Sequence, residues 1–199
     1  APRTDVPRET GPDGLPVLTF ATPARARAWL DKHLTDAGLW VKIAKKGSGH
    51  RSVTYAEFLD EALCVGWIDG QKRSYDSEWF LQRFTPRTRR SPWSQVNREH
   101  IARLTAEGRM APSGVAAVEA AQSDGRWEAA YAPASTIEVP ADLHTALDAE
   151  PAAKEFFATL RGANRFAVLY RIGSVKRPET RARKIEQYVA MLARGETLH

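Results

Sequence analysis

The two-residue hydrophobic alternation of this chain is confined to the residues before Ser94, and that restricts the folds open to it. Leu39, Val41 and Ile43 alternate with Trp40 and Lys42, the two-residue period of a strand. Residues 78–84 alternate again, with Trp79 and Leu81 to one side and Phe80 and Phe84 to the other. From Ser94 onward apolar residues recur at helical spacing instead, and prolines stand where helices would open, at Pro112 and Pro178. Strands confined to the first half and helices filling the second predict an α+β fold. We expect a small antiparallel or mixed sheet with flanking helices in the N-terminal part, followed by a C-terminal helical bundle.

Local signals place the elements. Residues 15–20 read as a short strand. Thr22-Pro23 opens a helix carrying Ala26, Trp29, Leu30 and His33, which Gly38 ends. Thr54 and Glu57 make a capping box for a helix running to about Cys64. A hairpin follows, turning at Asp69-Gly70 or at Asp76-Ser77. Ser94 caps a helix bearing Val96, Ile101 and Leu104 that stops at Gly108, and Pro112 begins another. Helices are expected near 141–149, 151–161, 164–172 and 178–194, the last with Ile185, Tyr188, Val189 and Leu192 on one face. The expected organisation is a disordered leader over 1–14, an α+β domain over 15–131, a linker over 132–140 (APASTIEVP) and a helical segment over 141–195 packed on the first domain.

Composition bounds the function. The chain has 199 residues, enough to bury a core without covalent staples. Its one cysteine, Cys64, excludes an intramolecular disulfide, which fits a reducing compartment. No apolar run is long enough to span a membrane. Residues 1–14 are polar and rich in Pro and Gly, with no apolar stretch of an export signal. A cytoplasmic protein is therefore expected. The five histidines show no ligand spacing, so neither a metal nor a cofactor is expected. The charge is unevenly spread. Residues 65–110 carry nine Lys/Arg against five acids, and 161–184 carry eight against Glu179 alone, while 136–160 is acidic. Either these faces attract one another, or the two basic regions converge on an anionic partner.

The chemistry-bearing residues concentrate in residues 67–97. Trp67-Ile68-Asp69-Gly70 is followed by an arginine loop bracketed by Pro86 and Pro92, containing Arg87, Arg89 and Arg90 and running into Trp93 and Ser94. Arginine supplies planar paired donors and stacks on indole rings. A helix opening at Ser94 adds free backbone N–H groups. Trp67, Arg83, Arg87, Trp93, Ser94 and Asn97 are therefore candidate ligands for an anion. Arg181 joins them, because it continues the apolar face of its helix and needs either a carboxylate or a bound anion. Asp69 is a turn aspartate hydrogen-bonded to its own backbone, or a general acid/base beside the arginines.

Residues 61–70 (EALCVGWIDG), 82–87 (QRFTPR), 91–97 (SPWSQVN), 107–110 (EGRM) and 176–183 (KRPETRAR) resemble the YdeI/OmpD-associated family, also described as bacteriocin-protection proteins. The resemblance runs from about Leu15 to Gly195. It implies a soluble α+β architecture with a helical C-terminal segment, and a role in stress or antimicrobial resistance linked to an outer-membrane porin. It implies no particular reaction and no catalytic residues.

Three readings of function follow. The first is a cytoplasmic protein that holds an anionic small molecule in an Arg/Trp-lined pocket between the α+β part and the C-terminal helices. The second is an enzyme on an anionic substrate with Asp69 as acid/base. The third is a single-stranded nucleic-acid binder, using aromatics interleaved with arginines. Duplex reading by residues 94–123 as a helix-turn-helix is disfavoured, since its second helix carries Glu119 and no Lys or Arg.

Overall fold

The computed structural model describes residues 8–199, which form two compact units, the first running to Ala130 and the second from Tyr131 to His199. The first is α+β and the second is helical.

The first unit is built on a four-stranded mixed sheet in the order β1 (Val17–Leu18), β2 (Leu39–Ala44), β4 (Trp79–Pro86), β3 (Trp67–Ser74). β1 runs parallel to β2, and the other pairs are antiparallel. The expected first strand is shorter than residues 15–20. Phe20 has left the sheet, and its carbonyl accepts the N–H of Val53 at 2.9 Å. The hairpin turns at Asp76-Ser77, the second of the two sites expected. Asp69 and Gly70 lie inside β3, Asp69 still in register with Phe84; the register slips between Asp69 and Lys72, so the chain bulges at Gly70-Gln71 and does not turn at Asp69-Gly70.

The helices begin where their caps predict. α1 (Pro23–Lys32) has Thr22 Oγ1 accepting from the Arg25 N–H at 3.3 Å, and α2 (Tyr55–Val65) has both bonds of the Thr54/Glu57 capping box. α2 ends at Gly66, whose φ of 88° is a left-handed cap that an L side chain resists. α3 (Gln95–Ala106) and α4 (Pro112–Ser123) complete the unit. The core packs Leu39, Val41, Ile43, Phe84 and Trp67 of the sheet against Ala26, Leu30, Phe58, Ala62 and Leu63 of the helices. On α3 the buried face carries Asn97, Ile101 and Leu104, while Val96 is exposed, one position off the expected stripe.

The opposite sheet face is covered by chain that was expected to be disordered. Residues 1–7 of that leader lie outside the described residues. Residues 9–14 fold back over Trp40, whose indole Nε1 donates to Asp13 at 2.8 Å, while Asp13 also pairs with Arg83 at 3.0 Å. Gly11 rests against the Trp40 ring with no room for a Cβ. Val17, Trp40 and Leu81 form a small second cluster beneath this strap.

A carboxylate ties the helices together. Glu61 on α2 is buried and accepts from Arg109 Nη2 at 2.7 Å and from Arg27 Nη1 at 3.3 Å. Arg27 also donates to the carbonyl of Arg109 at 3.2 Å. Next to it, Asp60 accepts from Arg103 at 2.7 Å. Cys64, one turn on, is buried, and its thiol is pushed up by that burial and by the nearby Glu61 charge. Its carbonyl accepts the Ala111 N–H at 2.9 Å and lies against Gly114 of α4.

The second unit packs four helices, α5 (Ala141–Asp148), α6 (Pro151–Thr159), α7 (Gly162–Gly173) and α8 (Pro178–Ala193), around Leu143, Leu147, Phe157, Val168, Leu169, Ile172, Ile185, Tyr188 and Leu192. All four α8 positions expected to face inward are buried. Arg181, on the same side, meets Asp142 with two bonds, Nε at 2.6 Å and Nη2 at 2.9 Å, and its Nη1 donates to the Ile172 carbonyl at 3.0 Å. One guanidinium thereby joins α5, α7 and α8. The Arg181 hydrogen bonds hold the Asp142 carboxyl below its ordinary range.

Two outcomes follow from this packing. Gly114→Ala drives a methyl into the Cys64 carbonyl and lowers stability by at least about 2 kcal/mol, whereas Gly173→Ala meets nothing within 4 Å and raises it by about 0.5 kcal/mol; urea melts of both variants check this. Because the folded Asp142 carboxyl ionises at lower pH than the unfolded one, its contribution is full above the unfolded pKa of about 3.9 and is lost as pH falls through the folded value. The stability advantage of the native chain over Asp142→Asn should therefore be constant near neutrality and shrink below about pH 4 in pH-dependent melts.

Candidate functional site

The base of the β3–β4 hairpin gathers several of the residues singled out above. Trp67 opens β3 opposite Pro86, and the Arg87 N–H donates to the Gly66 carbonyl at 3.0 Å, so the chain leaving β4 stays beside the start of β3. The arginine loop is then ordered by its own turns. Thr88 N–H donates to Ser91 Oγ at 2.9 Å, and Arg126 donates to the carbonyls of Thr88 and Ser91 at 3.1 and 3.0 Å. This fold-back lays the Arg87 guanidinium on the Trp93 ring, 3.5 Å from its centroid, with Nη1 donating to the Pro92 carbonyl at 3.0 Å. Trp127 meets Trp93 edge-on from elsewhere, with centroids 4.9 Å apart.

Two indole donors in this region have no acceptor among the described residues. Trp67 and Trp93 are 1% and 2% exposed, and the Nε1–H of each is buried without a hydrogen-bond partner. Such a donor costs about 1–3 kcal/mol when left unmet. Trp67 packs edge-on against Trp29 at 6.0 Å, and Trp29 stacks on His33 at 4.1 Å. Neither Trp67 nor Trp93 therefore offers an exposed stacking face.

Asp69 lies two residues along β3 from Trp67, in register with Phe84, and accepts a hydrogen bond from the Tyr55 hydroxyl at the first residue of α2. Its partner is thus a side chain from a neighbouring helix and not its own turn. Ser94 Oγ accepts the Asn97 N–H at 3.1 Å and is engaged as the α3 cap. The Asn97 side chain is buried on α3. Arg83 emerges on the opposite sheet face, where it pairs with Asp13. Arg181 belongs to the second unit and pairs with Asp142.

Sequence reasoning missed Tyr55, whose place at the head of α2 beside a capping box was the available signal. It also missed a second cluster, at the far end of the hairpin. There Lys45, Lys46, Lys72, Arg73, Ser74 and Phe80 line a recess of about 590 Å³. Lys45, Lys46, Lys72 and Arg73 had no role assigned from the sequence. Among the described residues no group of three or more His, Cys, Asp and Glu could hold a metal ion, and no helix is long and apolar enough to cross a membrane.

Comparison with known families divides the chain near the boundary of its two units. Residues 18–117 match the family described as Domain of unknown function (DUF8412), which covers half the chain and takes in the motifs at 61–70, 82–87, 91–97 and 107–110. Residues 136–195 match the family described as Bacteriocin-protection, YdeI or OmpD-Associated, and contain the 176–183 motif. No curated protein and no solved structure matches. The chain thus belongs to the DUF8412 family through its α+β unit, and its helical unit is similar to the family described as Bacteriocin-protection, YdeI or OmpD-Associated.

Proposed function

We propose that this is a cytoplasmic binding protein for an anionic small molecule, acting in stress or antimicrobial resistance, with its anion site at the hairpin base of the α+β unit. The observation that carries this reading is the pair of buried, acceptorless indole N–H groups of Trp67 and Trp93 at the same end of the hairpin as the Arg87 guanidinium. A buried polar group without a protein partner calls for a water or an ion. Where indoles and a guanidinium supply the polarity, the complementary group is an oxygen-rich anion. Stacking on Trp93 and the bond from Nη1 to the Pro92 carbonyl hold the guanidinium plane in one orientation at this end of the hairpin. The family description of the helical unit supports the resistance role, and a buried, protonated Cys64 as the sole cysteine fits a reducing compartment.

One observation favours a second reading, that of an enzyme. The Tyr55 hydroxyl orients the Asp69 carboxylate at the same end of the sheet, an arrangement that could hold an acid/base group beside an anionic substrate.

Inorganic phosphate serves as the probe, titrated calorimetrically. Arg87→Ala should weaken its binding at least about tenfold, and Arg87→Lys should recover little, because an ammonium replaces neither the stacked plane nor the paired donors. Phosphate affinity unchanged in Arg87→Ala contradicts the site.

A further inference from the structure

We propose that the recess at the tip of the hairpin is a second, independent binding site, and that it takes single-stranded nucleic acid. The recess lies on the helix-facing side of the sheet, at the edge of the core against which Phe80 packs. Its floor is the Phe80 ring, in register with Ser74 on one side and Ile43 on the other. Its walls are Lys45 and Lys46 from the turn after β2, and Lys72 and Arg73 from the end of β3. Lys72 Nζ sits 4.4 Å from the Phe80 centroid, and Lys45 Nζ donates to a neutral acceptor, the Asp76 carbonyl, at 2.6 Å.

No carboxylate lines the recess. The two acids of the adjoining turn are otherwise engaged. Asp76 accepts the backbone N–H groups of Glu78 and Trp79, each at 2.8 Å, and Glu78 meets His50 at 2.8 Å. Four cations around one aromatic ring, with no acid among them, repel one another unless a polyanion is present. On the other side of the same tip, Lys42 lies 4.3 Å from the Tyr75 ring centroid and 5.1 Å from that of Trp79, and Tyr75 is exposed. The tip thus offers aromatic rings interleaved with five cations, the combination that follows a sugar–phosphate chain while stacking its bases.

The shape selects single strands over duplex. An aromatic floor gains only from a base whose face is free, and a duplex keeps its bases stacked. α4, which would have to be the groove-reading helix of a helix-turn-helix, carries Glu119 and no Lys or Arg. Lys72, lying on Phe80, is placed to move from ring to phosphate as a base slides in.

Fluorescence anisotropy of a labelled oligothymidylate of about 12 nucleotides, on the full chain, tests this. Four contacts predict a slope of log affinity against log salt of about −2 to −3. Lys46→Ala with Arg73→Ala, both exposed, should make the slope shallower by about 1.4 and weaken binding at about 0.1 M salt at least tenfold. Phe80→Leu, checked for an unchanged melt, should weaken binding by about five- to a hundredfold with the slope retained. Arg87→Ala should leave it intact, so this site and the hairpin-base site fail separately. The inference is overturned by absence of oligonucleotide binding at about 50 mM salt, by equal affinity for a duplex or for anionic phospholipid vesicles, by indifference to the Lys46/Arg73 pair, or by loss in Arg87→Ala.

Discussion

The α+β unit depends on one buried carboxylate. Glu61 sits among helices with two arginines on it, Arg27 from α1 and Arg109 from the α3–α4 connection. Removing either partner of such a group leaves charge uncompensated inside the protein, which costs more than the pair gains over an apolar replacement. Its effect is therefore specificity of arrangement: only one placement of α1, α2 and the α3–α4 connection satisfies all three side chains. Gly114 extends the same constraint by letting α4 close on the end of α2, where Cys64 exposes its carbonyl. With α2 fixed, Gly66 starts β3 in one direction, and the hairpin base is built from there.

That geometry explains why the two ends of one hairpin differ. At the base, the strands meet the helices, so side chains are buried and their polar atoms are few and individually placed. Trp67 and Trp93 are enclosed there, and Arg87 is flattened on an indole. At the tip, the strands reach the edge of the core, so lysines and aromatics share an open recess. One end suits recognition of a small anion by directed donors. The other suits an extended polyanion held by spread charge.

Much of the fold was legible because it rests on local physics. Thr54 with Glu57, Pro112, Pro178 and the alternation in Leu39–Ala44 each announce their element within a few residues. The hairpin turn was legible only as a choice, since Asp69-Gly70 has the composition of a turn, yet the strand continues through it as a bulge that pairing with β4 decides. The ordering of residues 9–14 was hidden because a polar, Gly/Pro-rich segment carries no sign of the distant Trp40 and Arg83 that hold Asp13. For the candidate site, residue type drew attention to the 67–97 segment but carried no sign of how its side chains are buried and paired. Trp67 and Trp93 were read as rings for arginine to stack on; Arg87 does lie on Trp93, and the burial of both indoles with their N–H groups unmet is what the sequence did not reveal. The inward position of Arg181 followed from helical spacing, while its partner, Asp142, lies 39 residues away and leaves no local trace.

The central claim is that the hairpin base carries donors awaiting an anion. The indole ¹⁵N–¹H resonances report it most directly, since the six tryptophans give six distinguishable signals. On addition of inorganic phosphate, the Nε1–H signals of Trp67 and Trp93 should move downfield as they gain an acceptor, while the Trp40 signal, whose N–H already bonds to Asp13, stays in place. Phosphate binding that leaves the Trp67 and Trp93 signals unmoved would contradict the account.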